Sequence, residues 1–370
     1  MSANPTCEGR ISVIVPVMNV ERYLDQCLSS IEAQTHRDLE IICLNDGSTD
    51  GSLAIMQSHA AKDPRVRVVD KPNEGYGATC NRGLDEATGE WVSIVEPDDW
   101  VEQDMYHDLL MLVDRVGGNV DIAKAAYWRV YDQGKRPTKV RCAYYRRVKP
   151  PAQPFAVRDA AELLSHHPSI WSAIYRRDFL NEKGIRFRPY PGAGWADNPF
   201  LVETLCQTER IAYLDEPYYC YREDTPEKVI AFAKRNPMLP LERWHDMMDV
   251  LQRLGVTDEP VLMAQNLRGI TYCCSTIEAC GLDAPGVREA VAGVFSRMDP
   301  ALVLADRRIK PGEKRLFAEV LGLPDPKVSE ISYVPELFRQ GIHRIRTCGL
   351  SYTLASVRQY LLHKSARVGR

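Results

Sequence analysis

The amino-acid sequence predicts an α/β fold with a mostly parallel sheet and helices on both faces. Between residue 10 and about residue 126, short β-rich segments alternate with segments of helical periodicity. Strands that are separated by single helices form right-handed βαβ units, which place successive strands parallel in one sheet. A composition with 45% hydrophobic and 26% charged residues is typical of a globular protein, and 370 residues are enough for two domains.

The alternation starts with a strand at residues 11–17. The helix after it carries an apolar stripe at helical spacing, made of Leu24, Cys27, Leu28 and Ile31. A second strand is predicted at residues 39–44. The polar residues 45–50 that follow it are of the types that form turns and cap the start of a helix. The next elements are predicted in the same order: a strand at 66–69, a helix near 78–87, a strand at 91–95, a helix with the stripe Met105, Leu109, Leu112 and Val116, and a strand at 122–126.

The remaining chain divides into a mixed part and a helical part. Residues 135–156 are rich in Lys, Arg, Pro and Tyr, which predicts an extended segment outside the sheet. Further along, a helix from Asn198 and a strand near 211–214 are predicted. Beyond about residue 225 the periodicity is helical. We therefore expect two regions: an α/β domain of residues 1–225, with halves at about 10–126 and 127–225, and a helical C-terminal region of residues 226–370.

Charge and cysteine usage exclude several classes of protein. The 47 basic and 50 acidic residues give a net charge of −3, which argues against nucleic-acid binding. No apolar run approaches the roughly 20 residues that span a bilayer, and residues 1–10 do not resemble a signal peptide, so we expect a cytoplasmic protein. The eleven cysteines include no CxxC pair, and Cys273, Cys274 and Cys280 lack the spacing of a zinc site, which predicts reduced thiols.

Polar residues follow the predicted strands at the edge where parallel sheets bind ligands. No glycine-rich phosphate loop is present, because residues 16–19 read Pro-Val-Met-Asn after the first strand. The adjacent carboxylates of Asp98 and Asp99 follow the strand at 91–95 and offer the oxygen ligands that Mg²⁺ or Mn²⁺ prefer. The alternative for an Asp-Asp pair is a solvated turn or a helix N-cap.

An ordered series of motifs resembles the family 2 glycosyltransferases. The resemblance continues to about residue 225, whereas residues 226–370 match no family that we can identify. The segments that carry the resemblance are SVIVPVMN at 12–19, YL at 23–24, QT at 34–35, NDGSTDGS at 45–52, NEG at 73–75, NRG at 81–83, ATGE at 87–90 and EPDDW at 96–100.

The resemblance implies a GT-A fold and the inverting transfer of a sugar to a hydroxyl acceptor. The donor in this family is a nucleotide-sugar, usually UDP-linked, and the product is a cell-surface glycan or exopolysaccharide built on a glycan or lipid-linked acceptor. Asp46 resembles the carboxylate that hydrogen-bonds the base, and Asp98 and Asp99 fall on the region that contacts ribose or sugar and a divalent metal, Mn²⁺ or Mg²⁺. The first loop, which wraps the nucleoside, corresponds to Pro16, Asn19 and Glu21.

The resemblance also assigns a catalytic base. In this family the base is the Asp of an acidic pair at the start of a helix. The corresponding segment here is WADNPF at 195–200, which makes Asp197 the candidate base. The alternative for Asp197 is a helix N-cap. Ala196 and Glu96 replace a usual Glu and a usual Asp, so a catalytically inactive relative that only binds nucleotide or glycan is the rival interpretation. Trp195 and Trp171 are predicted either to stack on a sugar or to pack in the core.

The C-terminal tail has its own charge pattern. Residues 337–370 contain seven basic and no acidic residues, whereas the preceding part has forty basic and fifty acidic ones. Phe338, Ile342 and Ile345 lie on one helical face, and Leu350, Leu354, Val357 and Leu361 lie on another, with a break near Gly349. This pattern predicts either a peripheral contact with an anionic membrane or a stripe that packs on the α/β domain while its arginines pair with acidic residues.

Overall fold

A single sheet organises the α/β part of the protein. The computed structural model describes residues 9–131, 137–350 and 353. Its strands are β1 (Ile11–Val17), β2 (Leu39–Asp46), β3 (Val66–Lys71), β4 (Trp91–Ile94), β5 (Trp100–Val101), β6 (Ile122–Tyr131), β7 (Thr138–Arg141), β8 (Ala173–Arg176) and β9 (Ile211–Arg222).

Helices cover the sheet and make up the region after β9. None of those in the described residues combines the length and the apolar character that crossing a membrane requires. They are α1 (Glu21–Glu32), α2 (Ser52–Ala60), α3 (Tyr76–Glu86), α4 (Met105–Arg115), α5 (Glu162–Ser165), α6 (Arg177–Glu182), α7 (Asp197–Leu205), α8 (Pro226–Arg235), α9 (Leu239–Leu254), α10 (Glu259–Cys280), α11 (Val287–Phe295), α12 (Pro300–Ala305), α13 (Pro311–Val320) and α14 (Val334–Cys348).

The sheet order among the described strands is β3-β2-β1-β4-β8-β6-β9-β5, with β7 paired to β6. Strands β1 to β4 are mutually parallel, and β6 is parallel to β9. Strand β8 runs antiparallel between β4 and β6 and joins the two parallel halves. The predicted α/β fold with a mostly parallel sheet is confirmed, and so is the helical C-terminal region.

The apolar pattern explains why the first elements form where they do. Every residue of β1 and β2 is buried, because helices cover both faces of the sheet at this point. Helix α1 buries Leu24, Cys27, Leu28 and Ile31, the same four residues that define the predicted stripe. The sequence therefore encodes both the strand pair and the helix that packs on it.

Two strands differ from the sequence-based prediction. Strand β9 is predicted near 211–214 but continues to Arg222, because its pairing with β6 resumes after an irregularity in register at Ala125 and Ala126. Strand β5 contains only Trp100 and Val101 and pairs with β9, so its local pattern is too short to predict a strand.

The apolar stripe of the tail faces solvent in the part that the structure describes. Phe338, Ile342 and Ile345 on α14 are 69%, 51% and 42% exposed. The alternative in which this stripe packs on the α/β domain is therefore wrong for α14. Helix α14 ends at Cys348 with Gly349 as its C-cap, in agreement with the predicted break near Gly349. The predicted second stripe, except Leu350, lies outside the described residues.

Candidate functional site

Two loops at the carboxyl edge of the sheet are joined by hydrogen bonds. The backbone amide of Asn19 donates to Ser48 Oγ (3.1 Å), and the amide of Thr49 donates to Asn19 Oδ1 (2.8 Å). The amide of Gly51 donates to Glu21 Oε2 (2.6 Å). The side chains of Asn19 and Glu21 thus join the loop after β1 to the loop after β2.

Pro16 lies deeper in the sheet than these two residues. It is buried within β1 and lies opposite Leu44 of β2. The structure therefore places Pro16, Asn19 and Glu21 along one edge, with Pro16 in its wall and the other two in its rim. Their predicted contact with a nucleoside stays a prediction.

Asp46 ends β2 and anchors the turn that follows β3. Its carboxylate accepts hydrogen bonds from Lys71 Nζ and from the amides of Glu74 (2.8 Å) and Gly75 (3.0 Å), and the residue is 3% exposed. Burial raises the pKa of Asp46, but the bonds from Lys71 and the Glu74 amide outweigh burial and leave this pKa below its ordinary value. Asp46 is therefore an ionised acceptor at the predicted base-binding edge.

If Asp46 also accepts the N3–H group of uracil, the protein must discriminate against cytosine, which has no such proton. We expect UDP to bind about 10-fold or more tightly than CDP in calorimetry, because cytosine would turn the lone pair of N3, instead of a proton, toward the carboxylate. Asp50→Asn, at a rim carboxylate that caps the Glu21 amide, should keep this discrimination. Equal affinity for CDP and UDP would remove Asp46 from base recognition.

Asp99 is held within the protein by both of its carboxylate oxygens. Oδ2 accepts from Tyr219 Oη (2.9 Å), Oδ1 accepts from the Arg222 amide (2.6 Å), and the residue is 1% exposed. Arg222 Nε also donates to the Asp98 carbonyl (2.9 Å), and its guanidinium lies over the ring of Tyr23. Tyr219 and Arg222 thereby fix the conformation of the Asp98-Asp99 turn.

The donor set of this turn favours Asp98 over Asp99 as a metal ligand. In the described ranges, no group of three or more His, Cys, Asp or Glu side chains is arranged to hold a metal ion. Asp98 lies partly exposed in the acidic group of Glu96, Asp98 and Asp99 near Asp197, which we call the cleft. Each carboxylate oxygen of Asp99 accepts one hydrogen bond from the protein. Mg²⁺ and similar cations often take one or two carboxylates and complete their shell with substrate phosphates and water. Asp98 fits that arrangement through its exposure, whereas each Asp99 oxygen already accepts one hydrogen bond from the protein. The predicted metal contact of Asp99 stays a prediction.

Glu96 adds a third carboxyl group to the cleft. Tyr76 Oη donates to its Oε1 atom at 2.5 Å. Burial raises the pKa of Glu96 to about 8, and the negative charges of Asp98 and Asp197 act in the same direction. Burial also raises the pKa values of Asp98, Asp99 and Asp197. The cleft therefore concentrates acidic groups that a proton or a cation stabilises.

The raised pKa of Glu96 predicts a pH-dependent stability. The folded state holds the Glu96 proton more tightly than the unfolded chain, so the stability that this proton supplies is lost as pH rises from about 4.5 to about 8. Glu96→Gln should lose less stability than the wild type across this interval, measured by urea unfolding at both ends. Glu90→Gln, at an exposed position, is the control and should follow the wild type. Parallel curves for Glu96→Gln and the wild type would contradict the assignment.

Asp197 is the first residue of α7, and Ala196 occupies the N-cap position. The N-cap interpretation of Asp197 is therefore wrong. Its Oδ1 atom accepts from Asn198 Nδ2 (3.1 Å). Burial raises the pKa of Asp197, and the charge of Arg268 partly opposes this. A carboxylate whose pKa lies closer to neutrality is better suited to accept a proton than an ordinary surface aspartate.

Asp197 lines a cavity of about 570 Å³, together with several aromatic side chains. Trp195 adopts a left-handed backbone conformation (φ 54°), and its ring stacks on that of Phe232 with centroids 5.9 Å apart. Trp171 does not reach the cavity, because it is 2% exposed and stacks on Tyr219, with ring centroids 3.9 Å apart. Trp195 thus lines the cavity, where its stacking on a sugar stays a prediction, and Trp171 belongs to the core.

The C-terminal region supplies one wall of this cavity. Arg268 on α10 donates to the carbonyl oxygens of Leu164 (3.1 Å) and His166 (2.7 Å). Tyr272, one turn further along α10, donates from its Oη to Asn198 Oδ1 (2.9 Å). Sequence reasoning missed both residues, because the motif series ends near residue 225 and α10 carries only an apolar periodicity.

Gly75 lies where the turn after β3 contacts the loop before α7. This residue has φ 89°, and a Cβ atom there would lie 2.9 Å from the Tyr190 carbonyl oxygen. The next amide, that of Tyr76, donates to the Gly192 carbonyl (3.0 Å). The turn that Asp46 anchors therefore packs against the loop that leads into Asp197, and only glycine permits this approach.

Comparisons with known proteins agree with this architecture. The family model described as Glycosyl transferase family 2 matches residues 12–183. The glycosyltransferase GlyG of Streptococcus pneumoniae is 40% identical over 226 residues, which are 57% of this chain and 70% of GlyG. The uncharacterized glycosyltransferase EpsJ of Bacillus subtilis is 29% identical over 226 residues, 58% of this chain and 61% of EpsJ.

The match covers only part of several relatives. It spans 61% of EpsJ and 31% of the glycosyltransferase GlyA of Streptococcus pneumoniae. Among solved structures, residues 1–349 of S. aureus TarS superpose with a TM-score of 0.66 at 18% identity, covering 90% of this chain and 92% of that one. The similarity to TarS includes the C-terminal helices as well as the sheet, and at this identity it describes the fold alone.

Proposed function

Because the chain belongs to glycosyltransferase family 2, we propose that it transfers a sugar from a UDP-linked donor to a hydroxyl group of a glycan or lipid-linked acceptor, with inversion at the anomeric carbon. The observation that carries this proposal is the placement of Asp197 at the aromatic cavity, next to the cleft with Glu96, Asp98 and Asp99. The UDP-linked donor is also suggested by TarS, which has been solved in complex with UDP-GlcNAc.

The proposed reaction needs a base and a leaving group on opposite faces of the sugar. Asp197 accepts the proton of the acceptor hydroxyl as the oxygen attacks the anomeric carbon. The new glycosidic bond forms while the bond between the anomeric carbon and the diphosphate oxygen breaks, and UDP departs with the bonding electrons. The proton remains on the Asp197 carboxyl group until solvent removes it.

A divalent metal, Mn²⁺ or Mg²⁺, is part of the proposal. When bound, it would neutralise the charge that develops on the departing diphosphate. Asp98 is the residue that would hold it, whereas Asp99 keeps the turn in place through Tyr219 and Arg222. Tyr76 holds Glu96 in the same cleft through its hydroxyl group.

The cavity beside Asp197 is the proposed acceptor site. A sugar ring offers apolar C–H faces that pack well on aromatic rings, and Trp195 and Phe232 supply such rings. Arg268 and Tyr272 also line the cavity, with the Tyr272 ring 5.8 Å from that of Trp195, and they carry polar groups that suit the hydroxyl groups of a glycan. A product in cell-surface glycan or exopolysaccharide synthesis is consistent with this site.

A screen of nucleotide-sugars tests the proposal. The purified protein is incubated with Mn²⁺ and each donor in turn, and release of the nucleoside diphosphate is measured with and without EDTA. We expect UDP release from one or a few UDP-sugars, and none in EDTA. The rival interpretation, an inactive relative, is favoured by the alanine at position 196 and forecasts UDP binding without release from any donor.

A further inference from the structure

We propose that α14 is a membrane-surface helix that binds an anionic phospholipid bilayer through its outward apolar face. This face is made of Val334, Leu337, Phe338, Ile342 and Ile345, which are between 40% and 69% exposed. At 100° per residue, the five side chains fall within one arc of the helix. Exposed apolar residues grouped in this way mark an interaction surface, whereas single ones do not.

The opposite face of α14 attaches the helix to the rest of the protein. Glu336 and Thr347 are buried on that side, and His343 Nε2 lies 2.9 Å from the Ala143 carbonyl oxygen beyond β7. The apolar face is therefore turned away from the domain by the way the helix docks. A helix held along the surface in this manner is oriented to lie in the plane of a bilayer.

The charges around the apolar face select an anionic lipid surface. Arg344 and Arg346 are exposed on either side of the face and have no ion pair among the residues that the structure describes. The sequence beyond Leu350 adds Arg358, Lys364, Arg367 and Arg370 and has no acidic residue. Basic residues near a bilayer surface are attracted to anionic headgroups, and each contributes a similar increment.

The exposed apolar residues of α8 belong to a different surface. Val229 and Phe232 on α8 line the cavity next to Asp197. Ile230 is 55% exposed on α8 and lies outside that cavity lining, so it provides a matched control residue. A variant at Ile230 changes the same type of side chain at a similar exposure without touching α14.

Vesicle co-sedimentation of the full chain tests the proposal. The vesicles contain phosphatidylcholine with or without phosphatidylglycerol. We expect the wild type to sediment with the phosphatidylglycerol vesicles, less so at high salt, and to stay in solution with phosphatidylcholine alone. Phe338→Glu/Ile342→Glu should bind at least about 10-fold more weakly, because two charges would enter the apolar layer. Ile230→Glu should bind like the wild type.

The arginines have a separate test. Arg344→Gln and Arg346→Gln should each weaken binding to the phosphatidylglycerol vesicles about fivefold, and circular dichroism should show the same fold in all variants. A wild type that stays in solution with these vesicles, or a Phe338→Glu/Ile342→Glu variant that sediments equally well, would overturn the proposal. So would light scattering that shows a dimer in the wild type and a monomer in that variant, because a second copy would then cover the face.

Discussion

Asp197→Asn is expected to reduce sugar transfer by about 10²- to 10⁴-fold, which is the usual contribution of a general base. Asparagine keeps the size and the hydrogen bond to Asn198 but cannot accept a proton, so UDP binding should be unchanged. The measurement is the rate of UDP release in the presence of acceptor, together with calorimetric affinity for UDP. Because the pKa of Asp197 is raised by burial, the wild-type rate should fall on the acid side of neutrality, and this limb should be absent from the variant.

Glu203→Gln is the matched control for Asp197→Asn. Glu203 lies on the same helix but forms an ion pair with Arg253 outside the cavity. Its replacement should leave transfer close to the wild-type rate. An Asp197→Asn protein with near-normal transfer would exclude Asp197 as the base and would require another group at the cavity to take the proton.

Asp98→Ala is expected to lose about 10²-fold or more of the transfer rate and to weaken UDP binding chiefly when Mn²⁺ is present. The physical reason is that Asp98 would be the protein ligand of the metal that neutralises the diphosphate. The decisive measurement is calorimetry of UDP with Mn²⁺ and with EDTA, for the variant and the wild type. Equal UDP affinity in all four conditions would show that no metal is involved.

Asp99 provides the comparison for Asp98, and the two aspartates should behave differently. In the wild type, one Asp99 oxygen accepts from Tyr219 Oη and the other accepts from the Arg222 amide. Asp99→Asn replaces one of these oxygens by an NH₂ group, which cannot accept, so the free energy of unfolding should fall by about 1–3 kcal/mol. A loss of turnover in this variant would then follow from a disordered turn. A stable Asp99→Asn protein with a metal-dependent loss of UDP affinity would instead make Asp99 the ligand.

The part of the fold that sequence patterns predict is the part that depends on local periodicity. The stripe Leu24, Cys27, Leu28 and Ile31 defines α1 because each of the four residues must be buried against the sheet. A start at Asn198 is predicted for α7 without such a stripe, and the helix begins one residue earlier, at Asp197. Where burial repeats at a fixed spacing, the sequence alone is sufficient.

The candidate site is less predictable because its contacts join distant parts of the chain. Arg222 fixes the turn of Asp98 and Asp99 across more than 120 residues, and no local pattern marks that partnership. Tyr272 reaches Asn198 from a region without family motifs. Motifs located the carboxylates, but only the fold showed which oxygens of Asp99 are already occupied.

The wall that α10 adds to the cavity has an evolutionary consequence. Arg268 and Tyr272 belong to the region after residue 225, whereas the carboxylates of the cleft belong to the region before it. Under the proposed function, gene fusions or exchanges that replace the C-terminal helices would alter which acceptor fits and leave the proposed nucleotide edge intact. Under the proposed function, chimeras joined near residue 225 are therefore expected to change the acceptor that is used and to keep the donor.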